Sequence, residues 1–186
     1  VDIDRLLAVA ADAPSPTFPS SESASTGTVI ASDLRIGIAQ DRAFGFYYAD
    51  DLDALRATGA TLVPFDTLTD AQLPDVDALV IGGGFPELFA RELEANGALR
   101  ERIGAAIDAG LPVYAECGGL MYLANSLTLE GYICRMVGAI DGDVVMHERP
   151  VGRGYVVLEE SPAFPWPAGA PGPREVRAPE FHSARL

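Results

Sequence analysis

Short apolar runs alternate with amphipathic stretches between residues 35 and 115 of the chain. The apolar runs predict strands, and the stretches between them have the spacing of helices. The predicted strands are Arg35–Ala39, Thr61–Phe65, Asp77–Ile81 and Leu111–Ala115. The predicted helices are Asp50–Thr58, Pro86–Asn96 and Ala98–Ala109. This alternation predicts an α/β fold with a mostly parallel sheet and helices on both faces.

The two ends of the chain depart from this pattern. Residues 1–10 predict a short amphipathic helix, and the Pro- and Ser-rich residues that follow predict a linker. We therefore expect residues 1–33 to be the end of a preceding domain plus a flexible linker, and residues 34–186 to be the main domain. Beyond Leu129, glycines and prolines interrupt the pattern and predict an antiparallel extension. Its clearest strands are Gly154–Glu159 and Arg174–Phe181.

Composition narrows the classes of function. A net charge of −14 disfavours nucleic acid or an anionic membrane as a partner. Two cysteines without a CxxC pair indicate a reducing compartment, and two histidines without a Cys/His cluster disfavour a metal site. The N-terminus is acidic and no apolar run approaches the length of a membrane span. We expect a soluble, cytoplasmic protein without a bound metal.

Cys117 occupies the most informative position in the chain. It follows the apolar run Leu111–Ala115, which reads as a buried strand, and precedes Gly118-Gly119 and an apparent helix from Leu120. A strand–turn–helix corner of this kind presents a nucleophile at the carboxyl edge of a sheet, and the helix N-terminus favours the thiolate. The alternative is a small buried core residue, which is the usual role of a free cysteine. The glycine pair favours the nucleophile.

A nucleophilic cysteine needs a base, and the chain offers two histidines. His182 follows a predicted strand, so it can meet Cys117 at the carboxyl edge. His147 lies in a polar, loop-like stretch, and either histidine could be a solvated loop residue. We favour His182. Cys134 lacks the setting of Cys117 and is predicted to be structural.

The run Gly82-Gly83-Gly84 ends another predicted strand and has three interpretations. It lacks the spacing of phosphate-binding loops, so a nucleotide site is disfavoured. It could be a plain loop. It could also present backbone N–H groups to a developing oxyanion, with the N–H of Gly118 as a second donor. A thiolate, an imidazole and an oxyanion hole together predict acyl transfer.

Several segments resemble the class I glutamine amidotransferase domains of the cobyrinic acid a,c-diamide synthase family, which amidate the corrin ring. The segments that carry the resemblance are Ile81–Leu88, Tyr114–Leu123, Glu180–Ser183 and, more loosely, Phe44–Tyr48 and Met146–Tyr155. The resemblance implies a flavodoxin-like fold. It implies Cys117 as nucleophile and His182 as base. It also implies backbone oxyanion donors at Gly83, Gly84 and Gly118.

The same resemblance implies a larger enzyme around this domain. Glutamine would be the substrate here, and the ammonia would amidate the a and c carboxylates of cobyrinic or hydrogenobyrinic acid. ATP, magnesium and the corrin would bind a synthetase domain that precedes residues 1–33. Many class I amidotransferases carry a Glu two residues after the histidine, where this chain has Ala184. Glu180 or a backbone carbonyl is expected to orient the imidazole instead.

Other functions remain open at this point. The glutaminase domain of cobyric acid synthase, or of a related amidotransferase acting on a cell-wall precursor, shares the Cys and His pattern. A DJ-1-like stress protein or peptidase would use the same corner without hydrolysing glutamine. A catalytically silent interaction domain would also lack this activity. A glutaminase assay separates the first group from the other two.

Overall fold

A computed structural model describes residues 2–14, 33–159 and 175–186. Most of the predicted linker lies outside these residues. Helix α1 (Ile3–Asp12) confirms the predicted N-terminal helix and runs two residues further. The Asp2 side chain caps it by accepting a hydrogen bond from the N–H of Arg5. No residue of α1 is buried, so its apolar side chains face solvent.

The remaining elements follow the predicted alternation and then add strands. The helices are α2 (Ala49–Ala57), α3 (Ala90–Ala95), α4 (Gly97–Asp108) and α5 (Gly118–Leu123). The first six strands are β1 (Arg35–Ala39), β2 (Phe44–Phe46), β3 (Thr61–Phe65), β4 (Ala78–Ile81), β5 (Gly83–Gly84) and β6 (Val113–Ala115). The last six are β7 (Ala124–Leu129), β8 (Tyr132–Arg135), β9 (Ile140–Met146), β10 (Gly152–Glu159), β11 (Glu175–His182) and β12 (Ala184–Arg185). None of the helices in the described ranges is long and apolar enough to cross a membrane.

A four-stranded parallel sheet in the order β3-β1-β4-β6 forms the centre of the domain. This confirms the predicted α/β class and its parallel sheet. The core against the sheet is mostly apolar, and α3 and α4 bury Leu93, Leu99 and Ile103 in it beside Leu79 and Ile81. All four strands end at the same edge, where the β1/β4 and β4/β6 junctions carry the candidate site.

The helix predicted over Pro86–Asn96 is divided in the structure. A 3-10 turn over Pro86–Phe89 precedes α3, and Asn96 has non-helical backbone angles before α4 begins. The Asn96 side-chain amide donates hydrogen bonds to the carbonyls of Thr67 and Asp70. These bonds to a neighbouring loop hold Asn96 at the break that the sequence predicts between this helix and the next.

The prediction of a buried strand over Leu111–Ala115 is wrong in two respects. Strand β6 has three residues, and among the described residues it is an edge strand paired with β4 alone. Tyr114, at its centre, is about half exposed (51%). An apolar run is consistent with an edge strand as well as a buried one, because periodicity cannot report the number of neighbouring strands.

The region after Cys117 differs most from expectation. The helix ends at Leu123, and β7 begins at the next residue. Strands β7, β8 and β9, which the sequence analysis did not predict, form a second sheet in the order β12-β9-β7-β8, with β7 and β9 parallel. The expected antiparallel strands are confirmed as the β10–β11 hairpin. Cys134 lies on β8 and is buried, as predicted for a structural residue.

Candidate active site

Cys117 lies on a strained corner between β6 and α5. Its backbone angles are φ 48° and ψ −113°, a region that side chains other than glycine rarely occupy. Its side chain is exposed. Strain of this kind persists where the surrounding structure enforces it, and it is typical of nucleophile elbows. The predicted strand–turn–helix corner is therefore confirmed, although α5, with six residues, aligns few peptide dipoles toward the sulfur.

Two backbone hydrogen bonds hold this corner against the end of β4. The N–H of Glu116 donates to the carbonyl of Ile81 at 3.2 Å, and the N–H of Gly119 donates to the carbonyl of Gly82 at 3.1 Å. A Cβ at Gly119 would collide with the Ile81 carbonyl oxygen, so only glycine permits this approach. The second glycine after the cysteine thus has a packing reason.

The glycine segment after β4 forms one side of the site. A plain loop is one of its three interpretations, but in the structure Gly83 and Gly84 form β5, a short antiparallel pairing with β2. The sequence gives little indication of β2, because it is three residues long and follows a tight turn. The N–H of Phe85 continues the contact by donating to the carbonyl of Ala43 at 2.9 Å.

The structure brings the three predicted oxyanion residues together with Cys117. A Cβ placed on Gly83 would lie 3.8 Å from the Cβ of Cys117. A Cβ placed on Gly118 would lie 3.1 Å from the backbone nitrogen of Gly84. Gly118 is the first residue of α5, so its N–H has no acceptor within the helix. The predicted oxyanion residues are therefore neighbours of the thiol, as backbone donors to an attacked carbonyl need to be.

Tyr47 supports the glycine segment and was not singled out by the sequence analysis. Its hydroxyl donates to the carbonyl of Ala39 at 2.6 Å and accepts from the N–H of Gly82 at 3.0 Å. Burial raises the pKa of Tyr47 above its usual value, so the hydroxyl keeps its proton at neutral pH. The resemblance included Tyr47 in an aromatic stretch, but no local pattern indicates which tyrosine turns inward.

Asp41 fixes the turn that leads from β1 to β2. Its Oδ1 accepts from the N–H groups of Ala43 and Phe44, and its Oδ2 accepts from the N–H and the hydroxyl of Thr67. Four charge-assisted bonds on one carboxylate make a rigid turn. The turn sets the direction of β2 and therefore the position of Tyr47, which directly follows this strand.

His182 is the last residue of β11, and both of its ring nitrogens have partners. Nδ1 lies 2.7 Å from the carbonyl oxygen of Ala184, and Nε2 lies 2.9 Å from Oε1 of Glu180. The bond to Glu180 and, next, the bond to Ala184 raise the pKa of His182 above its usual value. Both partners are acceptors, so this arrangement suits the doubly protonated ring. Both expected orienting groups, Glu180 and a backbone carbonyl, contact the imidazole.

The described residues contain no hydrogen bond between His182 and Cys117. Proton transfer between them requires His182 to release one partner and to reach the thiol, because both ring nitrogens are occupied and no hydrogen bond in the described residues links β11 to the corner of Cys117. The meeting of His182 and Cys117 stays a prediction. His147 lies in the same part of the molecule, because its N–H donates to the carbonyl of Ser183 at 2.8 Å. Its exposed side chain has no hydrogen bond within the described part of the chain. The structure therefore holds the ring of His182 and not that of His147.

Glu180→Gln should lower the pKa of His182, because the amide no longer stabilises the imidazolium with a charge. The Ala184 carbonyl still accepts, so part of the rise should remain. A raised pKa stabilises the fold below the unfolded value of about 6.5 and is lost as pH rises through the folded value. Any loss of stability in the variant should therefore appear at acidic pH and vanish at alkaline pH.

Imidazole resonances followed through a pH titration by NMR measure this change. Glu101→Gln, which removes the same charge from α4, is the matched control and should leave the His182 titration in place. A His182 pKa that stays constant or rises in Glu180→Gln would show that the carboxylate does not set the protonation of the ring.

Comparisons with known proteins decide the family. The model of the CobB/CobQ-like glutamine amidotransferase domain matches residues 35–186. The chain belongs to this family. The match spans the central sheet, Gly82–Gly84, Cys117 with the two glycines that follow it, and His182. The chain is a glutamine amidotransferase domain of α/β fold, as the resemblance implied.

Curated relatives are similar over almost the whole chain. A protein of Magnetococcus marinus named cobyrinate a,c-diamide synthase is 42% identical over 100% of this chain and 40% of its own length. A protein of the same name from Listeria monocytogenes is 44% identical over 98% of this chain and 39% of its own length. The chain thus spans about 40% of the length of the curated relatives that it matches.

A solved structure described as a glutamine amidotransferase is also similar. It covers 67% of this chain and 62% of its own, with a TM-score of 0.47 and 17% identity. Within the described residues, no group of three or more His, Cys, Asp or Glu side chains is placed to hold a metal ion.

Proposed function

We propose that this amidotransferase domain hydrolyses the side-chain amide of glutamine, with Cys117 as the nucleophile. The observation that carries the proposal is the strained backbone of Cys117, which holds an exposed thiol beside Gly83. A structural cysteine needs neither the strain nor the exposure, and the described part of the chain shows both at this position. Family membership supplies the substrate class.

The proposed chemistry proceeds in two stages. The Cys117 thiolate attacks the amide carbon, and the N–H groups near Gly83, Gly84 and Gly118 stabilise the oxyanion. His182, as the imidazolium, protonates the departing nitrogen. The C–N bond breaks, ammonia is released, and the acyl group stays on Cys117 as a thioester. The neutral imidazole then takes a proton from water, which attacks the thioester and releases glutamate. Because Glu180 binds Nε2 of His182 in this structure, the bond between them opens in each cycle.

The raised pKa of His182 suits this role. A resting pair of thiolate and imidazolium needs a histidine that keeps its proton near neutral pH. The contacts with Glu180 and Ala184 favour that state. In the proposed pair, Glu180 and the Ala184 carbonyl take the orienting role of the glutamate that many class I amidotransferases place at the position of Ala184.

We further infer that the ammonia serves an ATP-dependent amidation of the a and c carboxylates of a corrin, cobyrinic or hydrogenobyrinic acid. Support comes from the name that the curated relatives carry. ATP, magnesium and the corrin would bind a synthetase domain beyond this amidotransferase domain, because a net charge of −14 repels a polycarboxylate. Two free cysteines fit a reducing, cytoplasmic location.

A second candidate is the glutaminase domain of cobyric acid synthase. The family description covers two kinds of protein, CobB-like and CobQ-like, so family membership alone does not select between the two candidates. The relatives' names favour the a,c-diamide enzyme. The two differ in the carboxylates that receive ammonia, so the regiochemistry of the amidated corrin distinguishes them.

Two measurements on residues 1–186 test whether this chain hydrolyses glutamine and whether ATP binds outside it. The isolated chain should release glutamate from glutamine, although slowly, because amidotransferases commonly complete their glutamine site when the synthetase domain docks. It should show no heat of binding with magnesium-ATP in a calorimeter. Glutamate release that survives in Cys117→Ala would refute the proposed hydrolysis, and micromolar ATP binding would refute the separate synthetase domain.

A further inference from the structure

The backbone of the glycine segment is held by a side chain from outside the elbow. The amide of Gly82, the residue before β5, donates to the hydroxyl of Tyr47 at 3.0 Å. The same hydroxyl donates to the carbonyl of Ala39, at the end of β1, at 2.6 Å. One oxygen therefore bridges the ends of two neighbouring strands, β1 and β4, at the edge where the site lies.

The ring of Tyr47 also determines what can stand at position 82. A Cβ on Gly82 would lie 2.6 Å from Cε1 of the ring and 3.0 Å from Cζ. The backbone of Gly82 therefore packs directly against the ring, with no room for a side chain. The hydrogen bond to the hydroxyl fixes the direction of the Gly82 N–H. The contact with the ring limits how closely the Gly82 backbone can approach.

Gly82 is linked both to the corner that carries Cys117 and to the oxyanion-binding backbone. Its carbonyl accepts the N–H of Gly119, which ties it to the corner that carries Cys117. Its neighbour Gly83 faces Cys117, at 3.8 Å between the two Cβ positions. A movement of the Gly82 peptide therefore changes the distance between the oxyanion donors and the thiol.

We propose that Tyr47 is a positioning residue that sets the oxyanion-binding backbone of Gly82–Gly84 relative to Cys117. This inference rests on the proposed glutamine hydrolysis, which the oxyanion donors serve. Tyr47 acts through the backbone and does not contact the reacting atoms. Its effect is confined to steps in which charge develops on a carbonyl oxygen.

Tyr47→Phe is the informative variant because it keeps the ring over Gly82 and removes the hydroxyl. It leaves the N–H of Gly82 and the carbonyl of Ala39 without their shared partner. Loss of one oxyanion donor costs about 10²–10³-fold in kcat, and displacement of the donors should cost about 10- to 100-fold. KM for glutamine should change less than about threefold, since the bonds that are lost do not bind the ground state.

Alkylation of Cys117 by iodoacetamide distinguishes a displacement of the oxyanion donors from a general disturbance of the site. This displacement forms no oxyanion, so its rate should be the same in Tyr47→Phe and in the wild type. Tyr48→Phe is the matched control, because Tyr48 is 79% exposed and its hydroxyl has no hydrogen bond within the described residues. Hydrolysis, alkylation and the exchange rate of the Gly82 amide are measured for all three proteins in their intact form.

The expected pattern is slower hydrolysis, unchanged alkylation and faster Gly82 exchange in Tyr47→Phe alone. Hydrolysis at the wild-type rate, or alkylation that falls as far as hydrolysis, would overturn the inference. A wild-type protein that hydrolyses no glutamine refutes the proposed function instead. In that case the exchange rate of the Gly82 amide alone tests the positioning role of Tyr47. An exchange rate in Tyr47→Phe that stays as slow as in the wild type overturns this role.

Discussion

Cys117→Ala should reduce glutamine hydrolysis to background, a loss of about 10⁴-fold or more, whereas Cys134→Ala should keep most of the activity. The two thiols differ in exposure and in backbone setting. Cys117 is exposed on a strained corner beside Gly83. Cys134 is buried on β8, where burial and then the charge of Glu94 raise the pKa of its thiol. A thiol that keeps its proton is a poor nucleophile.

An electrophilic glutamine analogue tests the same contrast without a mutation. It should label Cys117 and spare Cys134, and peptide mapping identifies the labelled residue. The Cys134→Ala variant is the matched control, since it should be labelled as fast as the wild type. Label recovered on Cys134, or activity that survives in Cys117→Ala, would remove Cys117 from its proposed role.

The corner at Cys117 was predictable because its causes are local. A short apolar run, a cysteine and two glycines specify a strand, a tight turn and close packing, and the structure shows all three. The need for Gly119 depends on the Ile81 carbonyl, but any close approach at such a turn requires a glycine. The alternation over residues 35–115 likewise predicted the parallel sheet, since each strand and helix carries its own periodicity.

The parts that could not be predicted depend on contacts distant in sequence. Strand β7 follows α5 without a turn, so no break in the pattern marks the change of element. The predicted break between α3 and α4 is secured by bonds from Asn96 to carbonyls in the loop of Thr67 and Asp70, which the local pattern does not reveal. Tyr47 matters because it reaches the ends of two other strands. In each case the partner lies outside the window that periodicity examines.

The two histidines show a further limit of sequence reasoning. Their backbones lie in neighbouring segments, because Met146 of β9 pairs with Ala184 of β12. Position at a strand end therefore does not separate them. Their side chains do, since the ring of His182 is held at both nitrogens by Glu180 and Ala184. A base must be oriented to act repeatedly, and this favours His182 on physical grounds.

His182→Asn should lower kcat for glutamine hydrolysis by about 10²–10⁴-fold, whereas His147→Asn should retain substantial activity. Asparagine preserves polarity and approximate size, and the exposure of both histidines makes loss of the fold a minor concern. Thermal unfolding of both variants checks this directly. The pH profile adds a second criterion, because His147→Asn should keep the limb that reports the titration of His182. Normal turnover in His182→Asn together with an inactive His147→Asn would transfer the base to His147 and leave the bond between Glu180 and His182 with a structural role.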